Sequence, residues 1–238
     1  MNAAMVFRLL PETHPVSARS AAFGRQRRSF SGLAKNIHRS AILRLLGITL
    51  LYTVAFSAME ALFPLYSEHT FGWKATQNAY IFVYVGIIMV IMQGGLVGRI
   101  SKRWGVHALL LSGLVLLAIG LLLLPFTSRL TTLLLAVGLL SAGSGTVAAT
   151  SSTLASLVTP RHEQGGTLSS IQSIGGLGRI IGPVAAGAIY GLAGAGSPFV
   201  VGGLLIVIAV LVGLPAFPVK DSIHGTLELE VAEVSVSN

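Results

Sequence analysis

The chain has 238 residues, of which 53% are hydrophobic and only 10% are charged. Soluble domains carry about a quarter charged residues, so this composition excludes a water-facing surface over most of the chain and predicts a membrane protein. The net charge is +8, and the absence of cysteine excludes disulfides and thiolate metal sites.

Residues 1–40 form a basic, Ser-rich segment that we predict to be largely disordered on the cytoplasmic side. Its apolar stretch "MVFRLL" is too short for the core of a secretory signal. The run "RSAAFGRQRRSFSGLAKNIHRS" is rich in Arg and Ser and poor in acidic residues, which is also typical of a mitochondrial transit peptide. The sequence leaves both interpretations open.

Six apolar segments follow, each near the 20 residues that a helix needs to cross a bilayer. Transmembrane strands would alternate apolar and polar residues, whereas runs such as "ALLLSGLVLLAIGLLLLPF" are apolar on every side. We predict an all-α membrane protein with a six-transmembrane-helix bundle over residues 41–218 and a disordered cytoplasmic tail over 219–238. The predicted spans are 41–65, 79–97, 108–126, 130–158, 168–193 and 198–217.

Basic residues are unequally distributed between the two sides of this bundle. Thirteen of the sixteen Lys and Arg lie on the side of the amino terminus, whereas Lys74 and Arg129 lie on the other. Because basic residues mark the cytoplasmic side, we expect both termini in the cytoplasm and the bundle in the plasma or inner membrane. The positive charge then sets the orientation of the helices in the membrane and attracts the chain to the lipid bilayer. No nucleic-acid binding is predicted. All six histidines lie outside the apolar cores, so we expect no metal or other cofactor.

Two charged residues, Glu60 and Arg179, lie well inside the predicted spans. A charge at the bilayer centre costs at least about 2.5–3.5 kcal/mol, so such residues face a bundle interior or a wet cavity and mark functional sites. Residue counting places the two about 9 Å apart in height. This leaves open a direct ion pair or contact of Glu60 with water on the outer side. We predict that Glu60 carries a proton and that Arg179 anchors an anion or favours ionisation of a nearby carboxyl group.

The fifth predicted span is rich in glycine around Pro183. Gly178 and Gly182 have the small-xxx-small spacing that lets helices approach closely, and the downstream pair Gly187 and Gly191 repeats it. Pro183 cannot donate a hydrogen bond to the carbonyl of Arg179, so a kink can form there. We predict either a hinge or a static packing surface.

Three stretches resemble one transporter family. "GGLVGRISKRWG" is similar to the cytoplasmic signature G-x-L-x-D-R-x-G-R-K of the major facilitator superfamily, with Gly98 at the acidic position, so the charge-relay role of the signature is not implied. "GRIIGPVAAG" resembles the G-x-x-x-G-P-x-x-x-G element of proton-coupled drug antiporters. "FRLLPETHP" resembles the end of the sixth helix of tetracycline-efflux-like members. The matching positions that imply gating or conformational roles are Gly94, Arg99, Lys102, Arg103, Gly178, Gly182, Pro183 and Gly187.

The resemblance implies the carboxy-terminal half of a major facilitator fold, with residues 1–40 corresponding to the end of a preceding helix and the central loop. Such transporters rock two six-helix bundles about a midplane site, which implies an amino-terminal half or a second copy as partner. It also implies that the first, second, fourth and fifth spans line a cavity while the third and sixth face lipid. The implied function is proton-coupled efflux of a small amphipathic organic compound. The implied substrate-binding residues are Glu60, Gln93, Gln172, Arg179, Tyr52 and Phe56, with Phe63, Tyr80 and Tyr84 completing an aromatic wall.

Two other classes were weighed against a transporter. Six helices with a Gly-Ser-Gly suggest an intramembrane serine protease, but Ala142 interrupts the motif around Ser144 and the fifth and sixth spans have no His to accept its proton. We therefore predict that the chain is not an enzyme. A non-transporting membrane scaffold, or an inactive remnant of a truncated transporter, remains the alternative.

Overall fold

A computed structural model describes residues 37–159, 163–215 and 217, with side chains described from Ser40 onward. The predictions for residues 1–36 and for the tail lie outside the described residues. Within the described ranges every regular element is helical, which confirms the all-α fold class.

The helices are α1 (Ile37–Phe71), α2 (Ala75–Ile91), α3 (Val97–Trp104), α4 (Val106–Leu123), α5 (Leu130–Val158), α6 (Gln164–Ala193) and α7 (Ser197–Gly213). A π-helical turn, Met92–Leu96, joins α2 to α3, and a 3₁₀ turn, Leu124–Phe126, follows α4. In the described part of the chain, five segments are long and apolar enough to cross a membrane, and α7 is a sixth, shorter apolar helix.

Several helices begin or end at other residues than the predicted spans, and two of these differences have an identifiable local cause. The sixth span ends at Gly213 instead of 217, and Pro215 follows two residues later. Leu214 still has helical backbone angles and its N–H bonds the carbonyl of Val210, but Pro215 has no N–H to continue the helix, which accounts for the early end. The second span continues through the basic segment as α3, which was predicted to be a loop, and stops at Gly105. Gly105 has a φ of +79°, a conformation that glycine adopts without strain.

Helix α1 lies at the centre of the bundle, and its side chains contact four other apolar helices along its length. These contacts join Ser67 to Asn78 of α2, Tyr52 to Ser144 of α5, Ser57 to Gly178 of α6 and Tyr66 to Phe199 of α7. The position of the polar and charged side chains of α1 therefore depends on its contacts with α2, α5, α6 and α7.

Helices α4 and α5 pack through facing glycines. A Cβ added at Gly120 would lie 2.6 Å from the backbone nitrogen of Leu140, and one added at Gly143 would lie 2.5 Å from that of Leu117. Leu117 and other leucines of α4 are fully buried. One side of the third span therefore forms core, while Val115 and Ile119 on the same helix are exposed.

Helices α2 and α6 are the spans least covered by the rest of the described chain. Only 17% of the residues in their apolar windows are buried, against 50–56% in the windows of α1, α4 and α5. Large apolar side chains on both helices are exposed, among them Tyr80 and Val90 of α2 and Ile180 and Val184 of α6. These two helices carry the apolar surface that remains open for lipid or another protein.

Candidate functional site

Helices α1 and α6 touch through two glycines. A Cβ added at Gly178 would meet the side chain of Thr53, and one added at Gly182 would meet Ser57. A four-residue step on one helix thus matches a four-residue step on the other, so the helices run parallel. The Ser57 hydroxyl also donates a hydrogen bond of 3.2 Å to the carbonyl of Gly178. The small-xxx-small pattern of α6 is therefore a close helix contact.

This contact brings Glu60 and Arg179 into one region of the bundle. Arg179 directly follows Gly178, Glu60 lies three residues beyond Ser57, and both charged side chains are exposed. Within the described residues no ion pair joins them. The helix register places Glu60 about 9 Å further along α1, which agrees with the offset expected from residue counting.

Each of the two charged residues precedes a proline of its own helix by four positions. Pro64 follows Glu60 in α1 and Pro183 follows Arg179 in α6, and both helices continue through the proline. Proline has no N–H, so the carbonyls of Glu60 and Arg179 lack their usual helical donor. Each charged position therefore offers a backbone acceptor beside its side chain.

Tyr52 is buried between α1 and α5. Its hydroxyl lies 3.0 Å from the hydroxyl of Ser144, and its ring stacks against Phe56 with the ring centroids 6.0 Å apart. Phe56 is only half-buried. The ring of Phe56 is thus partly open to contact, whereas the hydroxyl of Tyr52 already joins two helices.

The two predicted glutamines are exposed and lie at different heights. Gln93 lies on the π-helical turn, and the neighbouring Met92 packs against Gly145 of α5, which puts Gln93 near the layer of Tyr52. Gln172 lies seven residues before Arg179 on α6, about 10 Å nearer the start of that helix. Arg179 therefore lies near the height of Tyr52, whereas Glu60 and Gln172 lie about 9–10 Å from that height in opposite directions.

The predicted aromatic wall is divided between packing and exposed positions. Phe63 is buried, with its ring centroid 6.0 Å from that of Phe82. The hydroxyl of Tyr84 donates a hydrogen bond of 3.3 Å to the carbonyl of Leu134. Tyr80 is 71% exposed. Phe63 and Tyr84 thus hold helices together, whereas Tyr80 remains free for contact with a partner or lipid.

The predicted conformational residues fall into three groups. Gly178 and Gly182 form the α1–α6 contact, whereas Gly187 and Gly94 have no other group within 4 Å of an added Cβ. Arg99, Lys102 and Arg103 are exposed on α3. Pro183 lies within an unbroken helix. The non-helical backbone in a span is instead at Gly95, with a φ of +152° inside the π-helical turn.

Several features were missed by the sequence interpretation. Thr49, Thr53 and Ser57 repeat at four-residue intervals along α1, a polar stripe that would have indicated the partner of the α6 glycines. Ser151 of α5 is buried, and its hydroxyl has no hydrogen-bond partner. No comparable signal identifies Gly95, since neighbouring glycines look alike in sequence.

A cavity of about 630 Å³ opens between the end of α1 and the start of α2. Its lining includes Glu68, Trp73, Lys74 and Phe82. Glu68 lies eight residues beyond Glu60, so the two carboxylates share one face of α1. In the part of the chain that the structure describes, no group of His, Cys, Asp or Glu is arranged to hold a metal ion.

Comparison with known proteins places these features in a family context. The Major Facilitator Superfamily profile matches residues 1–110 and 94–233. The chain is 31% identical over 159 residues to "Major facilitator superfamily domain-containing protein 10" of Mus musculus, covering 66% of this chain and 35% of that protein. It is 27% identical over 126 residues to "Tetracycline resistance protein, class B" of Escherichia coli, covering 53% of this chain and 31% of that protein.

Among solved structures, the human organic anion transporter MFSD10 (TETRAN) matches with a TM-score of 0.69 and 25% identity. The match covers 75% of this chain and 42% of that one. The chain therefore spans less than half the length of the relatives it matches.

Proposed function

Because the chain belongs to the major facilitator superfamily, we propose that it forms the carboxy-terminal six-helix half of a secondary membrane transporter. We further propose that this transporter exports a small amphipathic organic compound in exchange for protons. The tetracycline resistance proteins and the organic anion transporter among the similar proteins support a compound of this class. Family membership also favours transport over the intramembrane protease considered above.

The observation that carries the proposal is the placement of Glu60 and Arg179 on two helices in close contact. Each charge is costly inside a bilayer, and each is exposed on a side of the bundle that the described chain leaves open. Arg179 offers a fixed positive charge for an acidic group, and Phe56 offers a half-buried ring nearby. Glu60 offers a carboxylate that can exchange a proton.

The sign of the coupling follows from charge at this site. A basic or hydrogen-donating group of the substrate at Glu60 competes with a proton for the same carboxylate, which is the requirement for antiport. An anion held only by Arg179 would favour protonation of Glu60 and would travel together with the proton. Antiport therefore calls for a substrate that presents a donor to Glu60 and an acidic group to Arg179.

The partner proposed for this half is an amino-terminal six-helix bundle or a second copy of the chain. The open apolar surfaces of α2 and α6 support it, because these are the spans with the least cover in the described chain. A site between two bundles would place Glu60 and Arg179 away from lipid. Rocking of the bundles about that site would then expose it to each side in turn.

Arg179→Ala tests the proposal in vesicles that contain the chain alone or together with an amino-terminal half. Tetracycline, which carries both acidic and basic groups, is the probe, and an imposed pH gradient is the driving force. We expect gradient-driven movement in the unchanged protein and its loss in Arg179→Ala. Arg129→Ala is the control, because Arg129 is exposed outside the membrane-spanning helices.

Unchanged movement in Arg179→Ala would remove Arg179 from the site. Absence of gradient-driven movement in the unchanged protein, with the helical content intact in both preparations, would favour the non-transporting scaffold instead.

A further inference from the structure

Helix α3 is a short, rigid helix at the end of the second span. The π-helical turn joins it to α2, and Gly105 alone separates it from α4. Its Val97 is buried and Ile100 is half-buried, whereas Arg99, Lys102 and Arg103 are exposed. Residues at spacings of three and four lie on one face of a helix, so the three basic side chains form a single surface. We call these three residues the basic face of α3.

None of the described elements that contact the basic face carries an acidic residue. Helix α3 contacts the π-helical turn, α4 and α5. The sequence from His69 to His162, which includes all of these elements, contains neither Asp nor Glu. The three positive charges are thus not neutralised by the elements around α3 and are available to an anionic ligand.

Trp104 marks the depth of this surface in the membrane. It ends α3, directly follows Arg103 and is 64% exposed. Tryptophan is enriched where the hydrocarbon meets the lipid headgroups, and a basic residue beside it lies at the height of the phosphates. The geometry thus puts the basic face and the indole at one membrane interface.

We propose that the basic face of α3 binds the headgroup phosphates of anionic phospholipids, with Trp104 inserted beside them at the interface. The similar signature has an acidic residue at the position of Gly98. In this chain the lipid phosphate supplies the negative charge instead. Because α3 is already folded and tied to α4 by one residue, little conformational freedom is lost on binding. This inference does not depend on transport activity.

Quenching of tryptophan fluorescence by brominated lipids tests the proposal, because the chain has only two tryptophans. In Trp73→Phe, Trp104 is the sole reporter. Quenching by brominated phosphatidylglycerol is compared with quenching by brominated phosphatidylcholine at the same mole fraction. We expect the anionic lipid to be preferred at Trp104 by at least about threefold, since each basic residue near an anionic surface contributes about a fivefold attraction. High salt should reduce the preference.

The matched control is Trp104→Phe, which leaves Trp73 at the other end of the same span. Trp73 lines a cavity with one lysine and one glutamate, so the two lipids should quench it equally. Replacing Arg99, Lys102 and Arg103 together with Gln should abolish the preference at Trp104. Arg99→Lys combined with Arg103→Lys should retain it, because the charge is kept.

Equal quenching of Trp104 by both lipids would overturn the proposal. This is the result expected if a protein carboxylate neutralised the basic face. A preference that survived the triple Gln replacement would overturn it too, because the lipid would then be held by something else. The double Lys variant shows that helix α3 tolerates substitution at these positions.

Discussion

Replacing Gly182 with Ala tests the close contact between α1 and α6. The added Cβ would meet the Ser57 hydroxyl and lie 2.6 Å from the carbonyl oxygen of Val54. Carbon–oxygen contacts normally lie near 3.3–3.6 Å, so the helices must separate by roughly 0.7–1 Å. The clash involves backbone, so a change of rotamer cannot relieve it. The hydrogen bond from Ser57 to Gly178 must lengthen as the helices part.

The expected free energy follows from three opposing contributions. Overpacking costs about 1–3 kcal/mol. Weakening the interhelical hydrogen bond costs about 0.6 kcal/mol in a membrane protein. Alanine regains about 1 kcal/mol over glycine within a helix. We therefore expect Gly182→Ala to reduce the free energy of unfolding by about 0.6–2.6 kcal/mol.

The assay is unfolding of the purified protein in detergent, followed by the loss of helical circular dichroism. The matched control is Gly187→Ala on the same helix, where an added Cβ has no other group within 4 Å. We expect this control to be neutral or stabilising by up to about 1 kcal/mol. If Gly182→Ala and Gly187→Ala had the same free energy of unfolding, the close contact would be refuted. The register that places Arg179 near Glu60 would be refuted with it.

Three further substitutions test other features of the fold, each measured as a change in the free energy of unfolding. Gly95→Ala forces a side chain into a φ of +152° and should cost about 1–3 kcal/mol, whereas Gly94→Ala, at a position without positive φ, should cost less. Tyr52→Phe removes a buried hydrogen bond between helices and should cost about 0.6 kcal/mol. Phe217→Ala removes a buried ring and should cost about 3–5 kcal/mol, whereas Phe126→Ala, which removes an exposed ring, should cost far less.

Each of these substitutions has a contradicting result. Equal effects of Gly95→Ala and Gly94→Ala would mean that the π-helical turn is not strained for other residues. A Tyr52→Phe variant as stable as the unchanged protein would mean that the hydrogen bond between Tyr52 and Ser144 does not stabilise the contact of α1 with α5. Equal costs for Phe217→Ala and Phe126→Ala would place Phe217 outside the core.

Phe217 is held by two residues from distant parts of the chain. The guanidinium of Arg44 lies 5.1 Å from the centre of its ring, and the His107 ring lies 5.5 Å from it at a steep angle. Both residues also donate hydrogen bonds to backbone carbonyls near the end of α7. Arg44 donates to the carbonyl of Pro215, and His107 donates to that of Gly213. This cluster explains the large cost expected for Phe217→Ala.

Apolar run length was enough to predict the helices, because a bilayer fixes the length of a span within narrow limits. The ends of the spans were harder to predict. Helix α7 stops at Gly213 although its apolar pattern continues, and α3 continues the second span although its composition is polar. The missing N–H of Pro215 and the positive φ of Gly105 set where these two helices stop, independently of hydropathy.

The candidate site was predictable in its charges but not in its neighbours. Glu60 and Arg179 are conspicuous because charge is costly in hydrocarbon. That Arg179 lies beside the centre of α1 depends on Gly178 meeting Thr53, a contact between residues 125 positions apart. Gly187 has the same spacing pattern but no neighbour, so spacing alone does not say which glycines meet another helix.

The central claim is that Glu60 exchanges the proton that drives transport, and Glu60→Gln tests it most directly. The measurement is proton movement into vesicles, followed with a pH-sensitive dye, when tetracycline is added to the reconstituted transporter. Glu68→Gln is the control, because Glu68 lies on the same face of α1 but beyond the proposed site. We predict loss of tetracycline-dependent proton movement in Glu60→Gln and its retention in Glu68→Gln. Undiminished proton movement in Glu60→Gln would contradict the account.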